Sequence, residues 1–187
     1  MQSKKALQIK YFGLDALNDT IPLFSFIGRV TKQKGVHLII DAVESLLNEF
    51  QYQIQFLIGG PSDSKEEYGK YCADRMKFLT YKYPKNVWSN PDAFFTDGAI
   101  VNVGSDYALM PSLFEPGGIV QHEFFCGSTP VVAFRTGGLK DSVFEYDMKT
   151  KKGNGFNFMS YDVEDFKRCM RRAINCYKNK ESYQKLR

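Results

Sequence analysis

Short apolar runs alternate with longer segments of helical periodicity along this 187-residue chain. Residues 23–28 form an apolar run that ends at a glycine, which is typical of a buried strand. Residues 36–49 then repeat apolar side chains at the spacing of one helix face. A second apolar run follows at residues 54–59. The order strand, helix, strand predicts an α/β domain.

The same alternation continues to the end of the chain. Residues 64–83 are predicted to form a helix, in which Ser64 and Glu67 would make a capping box. Because helices separate the strands, right-handed crossovers and a single doubly wound, mostly parallel, Rossmann-like sheet are expected. We predict a lead-in over residues 1–20 and this domain over residues 21–187. The other predicted strands are 86–88, 107–110, 130–134 and 155–159, and the other helices are 98–103, 118–127 and 162–178, the last capped by Asp162.

Three of the predicted strands are followed by polar or glycine-bearing loops. These loops are residues 28–29, 111–118 and 135–138. Ligands of doubly wound sheets bind beyond the carboxyl ends of the strands. We therefore expect the three loops to converge on one edge of the sheet.

Composition and charge exclude several classes of protein. Hydrophobic residues make up 43% of the chain and charged residues 25%, which is typical of a globular domain. The net charge of +4 comes from scattered lysines and arginines, which weakly favours an anionic ligand and does not favour nucleic acid. No apolar run approaches the roughly 20 residues that cross a bilayer, so no membrane partner is expected.

The cysteines and histidines also argue against a metal or disulfide scaffold. The chain has four cysteines and two histidines, and none of them has the spacing of a zinc site. Four unpaired thiols favour a reducing compartment. We expect an intracellular, cytoplasmic protein, with a plastid as the alternative if a transit peptide lies upstream.

The loop with the most candidate chemistry contains two carboxylates around a Pro-Gly-Gly turn. Glu115 precedes the turn, and Glu123 lies in the helix that the turn opens. Glycine backbone and free N–H groups favour close approach of an anion, and carboxylates accept hydrogen bonds from sugar hydroxyls. A hydrolytic acid/base pair is the competing interpretation. Recognition of a phosphorylated sugar fits better, because the two carboxylates are expected to point in different directions.

Two further loops carry candidate anion ligands. Arg29 and Lys34 follow the first strand and would clamp a diphosphate, or they belong to an ordinary solvated basic loop. Residues 137–138 form either a second anion nest or a tight turn.

The remaining candidates are aromatic and imidazole side chains. His37 and His122 are expected to be structural. Trp88, Phe94 and Phe95 would either stack on a nucleobase or pack in the core, and core packing is the more frequent use of such residues.

Several ordered segments resemble the glycogen and starch synthases. Residues 26–35, with the sequence FIGRVTKQKG, are similar to the S-R-L-T-x-Q-K-G element of that family. Because the similar segments run from one end of the chain to the other, the likeness covers nearly all of it. The other segments are 106–112, 114–118 and 135–141, which resemble later blocks of the family in the same order, and 5–8 with 13–14, which resemble the start of its second domain.

The resemblance implies a fold and an activity. The family consists of retaining glucosyltransferases of the GT-B type, with two Rossmann-like domains and a cleft between them. This chain resembles the C-terminal, donor-binding domain, and the family's N-terminal K-x-G-G-L loop is absent from the sequence. The implied reaction transfers glucose from ADP-glucose or UDP-glucose to an α-glucan, which would bind through the N-terminal domain. The 187 residues alone are expected to be inactive.

The resemblance also implies roles for individual residues. Arg29 and Lys34 would neutralise the departing diphosphate, and Glu115 would lie close to the transferred glucose. No metal or other cofactor is implied, since cationic side chains would supply the charge stabilisation. The implied donor-binding residues are Gly117 and Gly118, whose N–H groups would meet glucose hydroxyls, Ile119 and Val120, whose N–H groups would meet the phosphate, and Glu123, which would bind the ribose.

Two positions depart from the usual pattern of the synthases. Gly117 stands where they usually have cysteine, and an acid at position 123 is commoner in the wider group of retaining transferases that includes sucrose synthase. Two alternative functions therefore stay open. One is a retaining transferase with a lipid or small-molecule acceptor, and the other is a nucleotide-sugar-binding module without catalysis.

Overall fold

Six strands form one sheet with helices on both faces in the computed structural model, which describes residues 2–187. The strand order is β3-β2-β1-β4-β5-β6, and every neighbouring pair is parallel. The predicted doubly wound parallel sheet is confirmed, and its order is that of dinucleotide-binding domains. The strands are β1 Leu23–Ile27, β2 Gln55–Gly59, β3 Val87–Asn90, β4 Tyr107–Met110, β5 Val131–Phe134 and β6 Gly155–Phe158, and the α-helices are α1 Gln2–Phe12, α2 Val36–Glu49, α3 Glu67–Lys82, α4 Gly98–Gly104, α5 Val120–Cys126, α6 Gly137–Ser142, α7 Val163–Lys178 and α8 Lys180–Leu186.

The core lies in two layers because side chains alternate across the strands. Phe24 and Phe26 of β1 face α2, α3 and α7 in the larger layer. Leu23, from the same strand, faces the opposite layer, where α1 and α4 pack. Both faces of the sheet are therefore covered, as the near-continuous apolar runs of the strands require.

Helix α1 packs against this sheet through a mixture of apolar and polar side chains. Leu7 and Phe12 are buried, and so are Lys4 and Gln8. The Lys4 ammonium lies 2.6 Å from the Asp106 carboxylate, and burial lowers the pKa of Lys4. Because two of the inward positions are polar, the helix has no apolar stripe, and the sequence pattern did not reveal it.

Two helix caps were predicted, and the structure confirms one of them and contradicts the other. The Asp162 side chain accepts a hydrogen bond from the Asp165 N–H at 2.8 Å and caps α7 as predicted. The capping box of Ser64 and Glu67 is wrong, because α3 begins at Glu67 and its N-cap residue is Glu66, whose side chain makes no capping bond within residues 2–187. The carboxylate of Asp63 instead accepts from the Lys65 N–H in the preceding turn. Two short helices, α6 and α8, were not predicted.

A group of hydrogen bonds around Glu44 joins α2 to α3. Lys82 and the Tyr83 hydroxyl each donate to its carboxylate at 2.8 Å, and Arg75 pairs with it as well. The hydrogen bond from Lys82, together with those from Tyr83 and Arg75, lowers the pKa of Glu44 from 4.5 to about 2. These helices therefore hold a carboxylate that stays charged well below neutral pH.

Among residues 2–187, no helix is both long and apolar enough to cross a membrane.

Candidate functional site

The site lies where the strand order reverses. Strands β1 and β4 are neighbours in the sheet, and the chain leaves them towards opposite sides, from β1 to β2 and from β4 to β5. A crevice forms beyond the carboxyl ends of two such strands, because their following loops diverge. The loop after β1 carries Arg29 and Lys34, and the loop after β4 carries Glu115.

The β1 loop is shaped by a 3₁₀ turn and a glycine. The turn spans Lys32–Lys34, and the Thr31 side chain accepts from the Lys34 N–H at its start. Gly35 follows with φ +68°, a left-handed conformation that favours glycine. A Cβ on Gly35 would lie only 2.1 Å from the Pro111 carbonyl oxygen. The glycine thus lets the two loops approach each other closely.

Lys34 and Glu115 meet in this crevice. The Lys34 ammonium lies 2.6 Å from Glu115 Oε2, and the two side chains are 20% and 12% exposed. The loops are also joined through the backbone, since the Leu113 N–H donates to the Gln33 carbonyl at 2.8 Å. Two residues that are 81 positions apart in sequence therefore form one charged pair.

The loop after β5 closes around the same glutamate. The Gly138 N–H donates to the Glu115 carbonyl at 2.8 Å. Gly137 has φ +42°, and a Cβ there would lie 2.1 Å from that carbonyl oxygen. All three predicted loops converge, as expected. Residues 137–138 begin α6, and the Gly138 N–H is not free to bind an anion because it donates to the Glu115 carbonyl.

The Pro-Gly-Gly turn presents backbone donors. The N–H groups of Gly117, Gly118, Ile119 and Val120 donate to no protein acceptor within residues 2–187. No atom of the described residues lies within 4 Å of a Cβ built on Gly117, whereas the Gln121 side chain fills the space beside Gly118. The turn is thus supported from one side and open on the other.

Arg29 and Glu123 lie at the exposed rim of the site. Arg29 follows β1 directly, and Glu123 projects from α5. Within the part of the chain that the structure describes, neither side chain forms a hydrogen bond or an ion pair. The structure brings Lys34 and Glu115 into contact and leaves these two charges available. Glu115 and Glu123 occupy different environments, which agrees with separate roles.

Sequence reasoning missed Tyr161, which lies against the β1 loop, and Tyr68, which contacts His37. The Tyr161 hydroxyl lies 2.3 Å from a Cβ built on Gly35, is buried, and has no hydrogen-bond partner within residues 2–187. His37 Nδ1 lies 2.9 Å from the Tyr68 hydroxyl, and burial lowers the pKa of His37. The contact with Tyr68 agrees with the expected structural role of His37. No sequence pattern indicated Tyr161, because it follows β6 and lies far along the chain from the β1 loop that it contacts.

The aromatic candidates divide between core and surface. Trp88 packs against Tyr11 and Phe95, with ring centroids 4.5 and 5.4 Å apart. Trp88 and Phe95 thus follow the core interpretation, while Phe94 and His122 are exposed. Within residues 2–187, no three histidine, cysteine or acidic side chains are grouped as metal ligands would be.

A comparison with protein families identifies the domain. The model described as "Glycosyl transferases group 1" matches residues 11–187. The chain belongs to this family. The match covers the whole sheet and all three loops of the site, and it includes the end of α1.

Relatives of this glycosyl transferase domain agree with the resemblance noted in the sequence. The chain is 37% identical over 185 residues to a glycogen synthase of Bacillus cereus (strain ATCC 10987 / NRS 248), which covers 99% of this chain and 37% of the relative. It is 38% identical over 173 residues to a glycogen synthase of Clostridium novyi (strain NT), over 90% of this chain and 33% of the relative. The chain thus spans little more than a third of the length of these relatives.

A solved structure supports the same assignment. The catalytic domain of Starch Synthase IV from Arabidopsis thaliana, bound to ADP and acarbose, matches with a TM-score of 0.78 and 27% identity. The match covers 99% of this chain and 37% of that one. The predicted GT-B domain of glycogen and starch synthase type is confirmed.

Proposed function

We propose that this glycosyl transferase domain binds the donor for a retaining glucosyltransferase, which moves glucose from ADP-glucose or UDP-glucose to an α-glucan. The proposal is supported by the relatives named glycogen synthase and by the starch synthase structure that holds ADP and acarbose. The observation that carries it is the contact of Lys34 with Glu115 at the point where the strand order reverses.

In this proposal the cations act on the departing diphosphate. Lys34 already lies in the crevice, and Arg29 stands exposed on the same loop without a protein partner in residues 2–187. Negative charge grows on the diphosphate as the glycosidic bond breaks, so cations at this place stabilise the transition state more than the ground state. No metal is needed for this role.

Glu115 and the turn after it would hold the glucose. A carboxylate accepts hydrogen bonds from hydroxyls, and the Glu115 carboxylate is the buried acceptor of the crevice. The unpartnered N–H groups of Gly117 and Gly118 would donate to hydroxyls, and those of Ile119 and Val120 to the phosphate. The open space beside Gly117 would let the sugar approach the backbone closely.

Glu123 would bind the ribose. Its carboxylate is exposed on α5 and has no partner in residues 2–187. Two ribose hydroxyls could donate to its two oxygens. Adenine and uracil nucleotides share this ribose, so Glu123 does not distinguish ADP-glucose from UDP-glucose.

Calorimetry on the 187-residue chain tests the binding half of the proposal. ADP, UDP, ADP-glucose and UDP-glucose are titrated into the chain and into its Arg29→Ala variant. The Arg29→Ala variant is expected to bind each ligand more weakly. The control variant Lys85→Ala removes a cation beside the edge strand β3 and is expected to bind as the parent does. If none of the four ligands binds in the millimolar range, the proposal is wrong.

Kinetics of the complete enzyme test the catalytic half. Arg29→Ala and Lys34→Ala should lower kcat by about 10²–10³, as the loss of one electrostatic contact to a transition state does. A higher KM with unchanged kcat would show that these residues only bind the ground state. Nucleotide binding without any transfer of labelled glucose to glucan would favour the non-catalytic module, and transfer to a lipid or small acceptor would favour the other transferase.

We also propose that the protein acts in the cytoplasm. Cys72, Cys169 and Cys176 are buried free thiols, and Cys126 is an exposed one, which suits a reducing compartment. Fractionation of cells that express the complete protein tests this.

A further inference from the structure

A second cavity lies beside the edge strand β6. It measures about 400 Å³, is open to solvent on one side, and is bordered by the end of β5, α6, the segment that follows α6, the end of β6 and α7. Its size falls in the range of small-molecule sites. None of the residues assigned above to the nucleotide-sugar donor lines it.

The cavity carries an excess of positive charge. Arg135, Lys140 and Arg172 line it, together with one carboxylate, that of Glu145. The Glu145 carboxylate already has two hydrogen-bond donors within the protein. Arg172 Nε donates to it at 2.8 Å, and the Asn157 N–H donates to it at 2.6 Å. Three cations against one carboxylate leave two positive charges, and within residues 2–187 Arg135 and Lys140 have no ion pair or side-chain hydrogen bond.

The wall of the cavity also suits an organic group. Phe144 and Met159 line it with exposed fractions of 57% and 63%. Asn157 is 8% exposed, and its side-chain oxygen has no hydrogen-bond partner among residues 2–187, while its Nδ2 donates to the Val143 carbonyl. An apolar surface next to a free amide acceptor fits the C–H face and hydroxyls of a sugar.

We propose that this cavity binds a sugar phosphate monoester, with the phosphate between Arg135 and Lys140 and the sugar against Phe144. Two unpaired cations match the dianion of a phosphate monoester, and the apolar wall favours an ester over the bare ion. A groove lined by one sign of charge concentrates such anions. The cavity shares the loop after β5 with the donor crevice, but none of the residues assigned to the donor lines it, and the proposal does not depend on the glucosyltransferase assignment.

Nuclear magnetic resonance on the ¹⁵N-labelled chain separates the two sites. Ribose 5-phosphate is titrated into it, with ribose and inorganic phosphate as reference ligands. The proposal expects saturable shifts of the Lys140, Phe144 and Met159 amides and smaller ones at Lys34 and Glu115. Shifts confined to the donor crevice, or no saturation, would overturn it.

Matched variants identify the charges that matter. Arg135→Ala and Lys140→Ala should each weaken ribose 5-phosphate binding about tenfold, the loss of one charge-assisted hydrogen bond. Both side chains are exposed, so the thermal midpoint of unfolding should stay unchanged. Lys85→Ala, next to the opposite edge strand, should bind as the parent does.

The reference ligands decide which part of the proposal holds. Equal binding of ribose would overturn the role of the phosphate. Equal binding of inorganic phosphate would overturn the role of the sugar wall, and Phe144→Ala should then have no effect. Tighter binding of the ester than of either reference, reduced by Phe144→Ala, would support the site as proposed.

Discussion

Replacing Glu115 by glutamine should strengthen the binding of ADP while it impairs glucose transfer. In the structure the Lys34 ammonium is engaged by Glu115 Oε2 at 2.6 Å. If Lys34 is to meet a diphosphate, this contact has to be broken or shared. Glutamine keeps the shape of the side chain but removes its charge, so it holds the Lys34 ammonium less strongly than glutamate does.

The size of the effect follows from the geometry. A hydrogen bond between charged groups contributes about 1.5–3 kcal/mol, and the lower end applies because both side chains retain some exposure to water. A change of about 1.4 kcal/mol corresponds to a factor of ten in affinity. We therefore expect ADP to bind Glu115→Gln about tenfold more tightly than it binds the parent.

Calorimetry with ADP measures this on four proteins: the parent, Glu115→Gln, Lys34→Ala and the double variant. Loss of Glu115 also removes general repulsion of the diphosphate, and the double variant isolates the part that passes through Lys34. In the Lys34→Ala background, Glu115→Gln should change the affinity for ADP by a factor close to one. Unchanged or weaker ADP binding by Glu115→Gln would refute the reasoning, because it would mean that the ion pair does not compete with the ligand.

Four further outcomes are expected. Glu123→Gln should weaken ADP binding about tenfold in calorimetry and should lower kcat less than Glu115→Gln does; equal catalytic loss with unchanged affinity would contradict the ribose role. Gly137→Ala should lower the free energy of unfolding by about 2 kcal/mol, because it forces a left-handed conformation and a clash, whereas Gly117→Ala, in open space, should leave it nearly unchanged in urea denaturation. The pKa of Glu44 is lowered from 4.5 to about 2, so its charge stabilises the fold above pH 4.5 and this contribution is lost as the pH falls to about 2. Glu44→Gln should thus be about 1 kcal/mol less stable at pH 7, after allowance for solvent screening, and the difference should close between pH 4.5 and 2; a pH-independent difference would argue against it. EDTA should leave transfer by the complete enzyme unchanged, and activity lost with EDTA and restored by Mg²⁺ or Mn²⁺ would contradict this.

Much of the sheet could be predicted because its strands are buried on both faces. The runs at 23–28, 54–59 and 107–110 read as strands for that reason, and all three lie within one residue of the observed bounds. The helical stripe over Val36–Glu49 was equally clear, since one face of α2 is apolar throughout. In these elements local pattern and burial agree.

The elements that the sequence concealed have polar or very short inward faces. Helix α1 buries Lys4 and Gln8, whose partners are Asp106 and Gln55 from distant parts of the chain. Helix α6 has six residues and begins with two glycines, so it has too few positions for a periodic pattern. Tertiary contacts, and not the local sequence pattern, stabilise these segments as helices.

The candidate site residues could be named from the sequence, since Arg29, Lys34 and Glu115 stand in loops after predicted strands and Glu123 stands in the helix that follows one of these loops. The sequence also determined which edge of the sheet they share, because parallel strands end at one edge. Only the tertiary structure decided that Lys34 reaches Glu115, while Arg29 and Glu123 have no charged partner among residues 2–187. That contact depends on the approach of Gly35 to Pro111, which is set by the packing of two loops and not by any local preference.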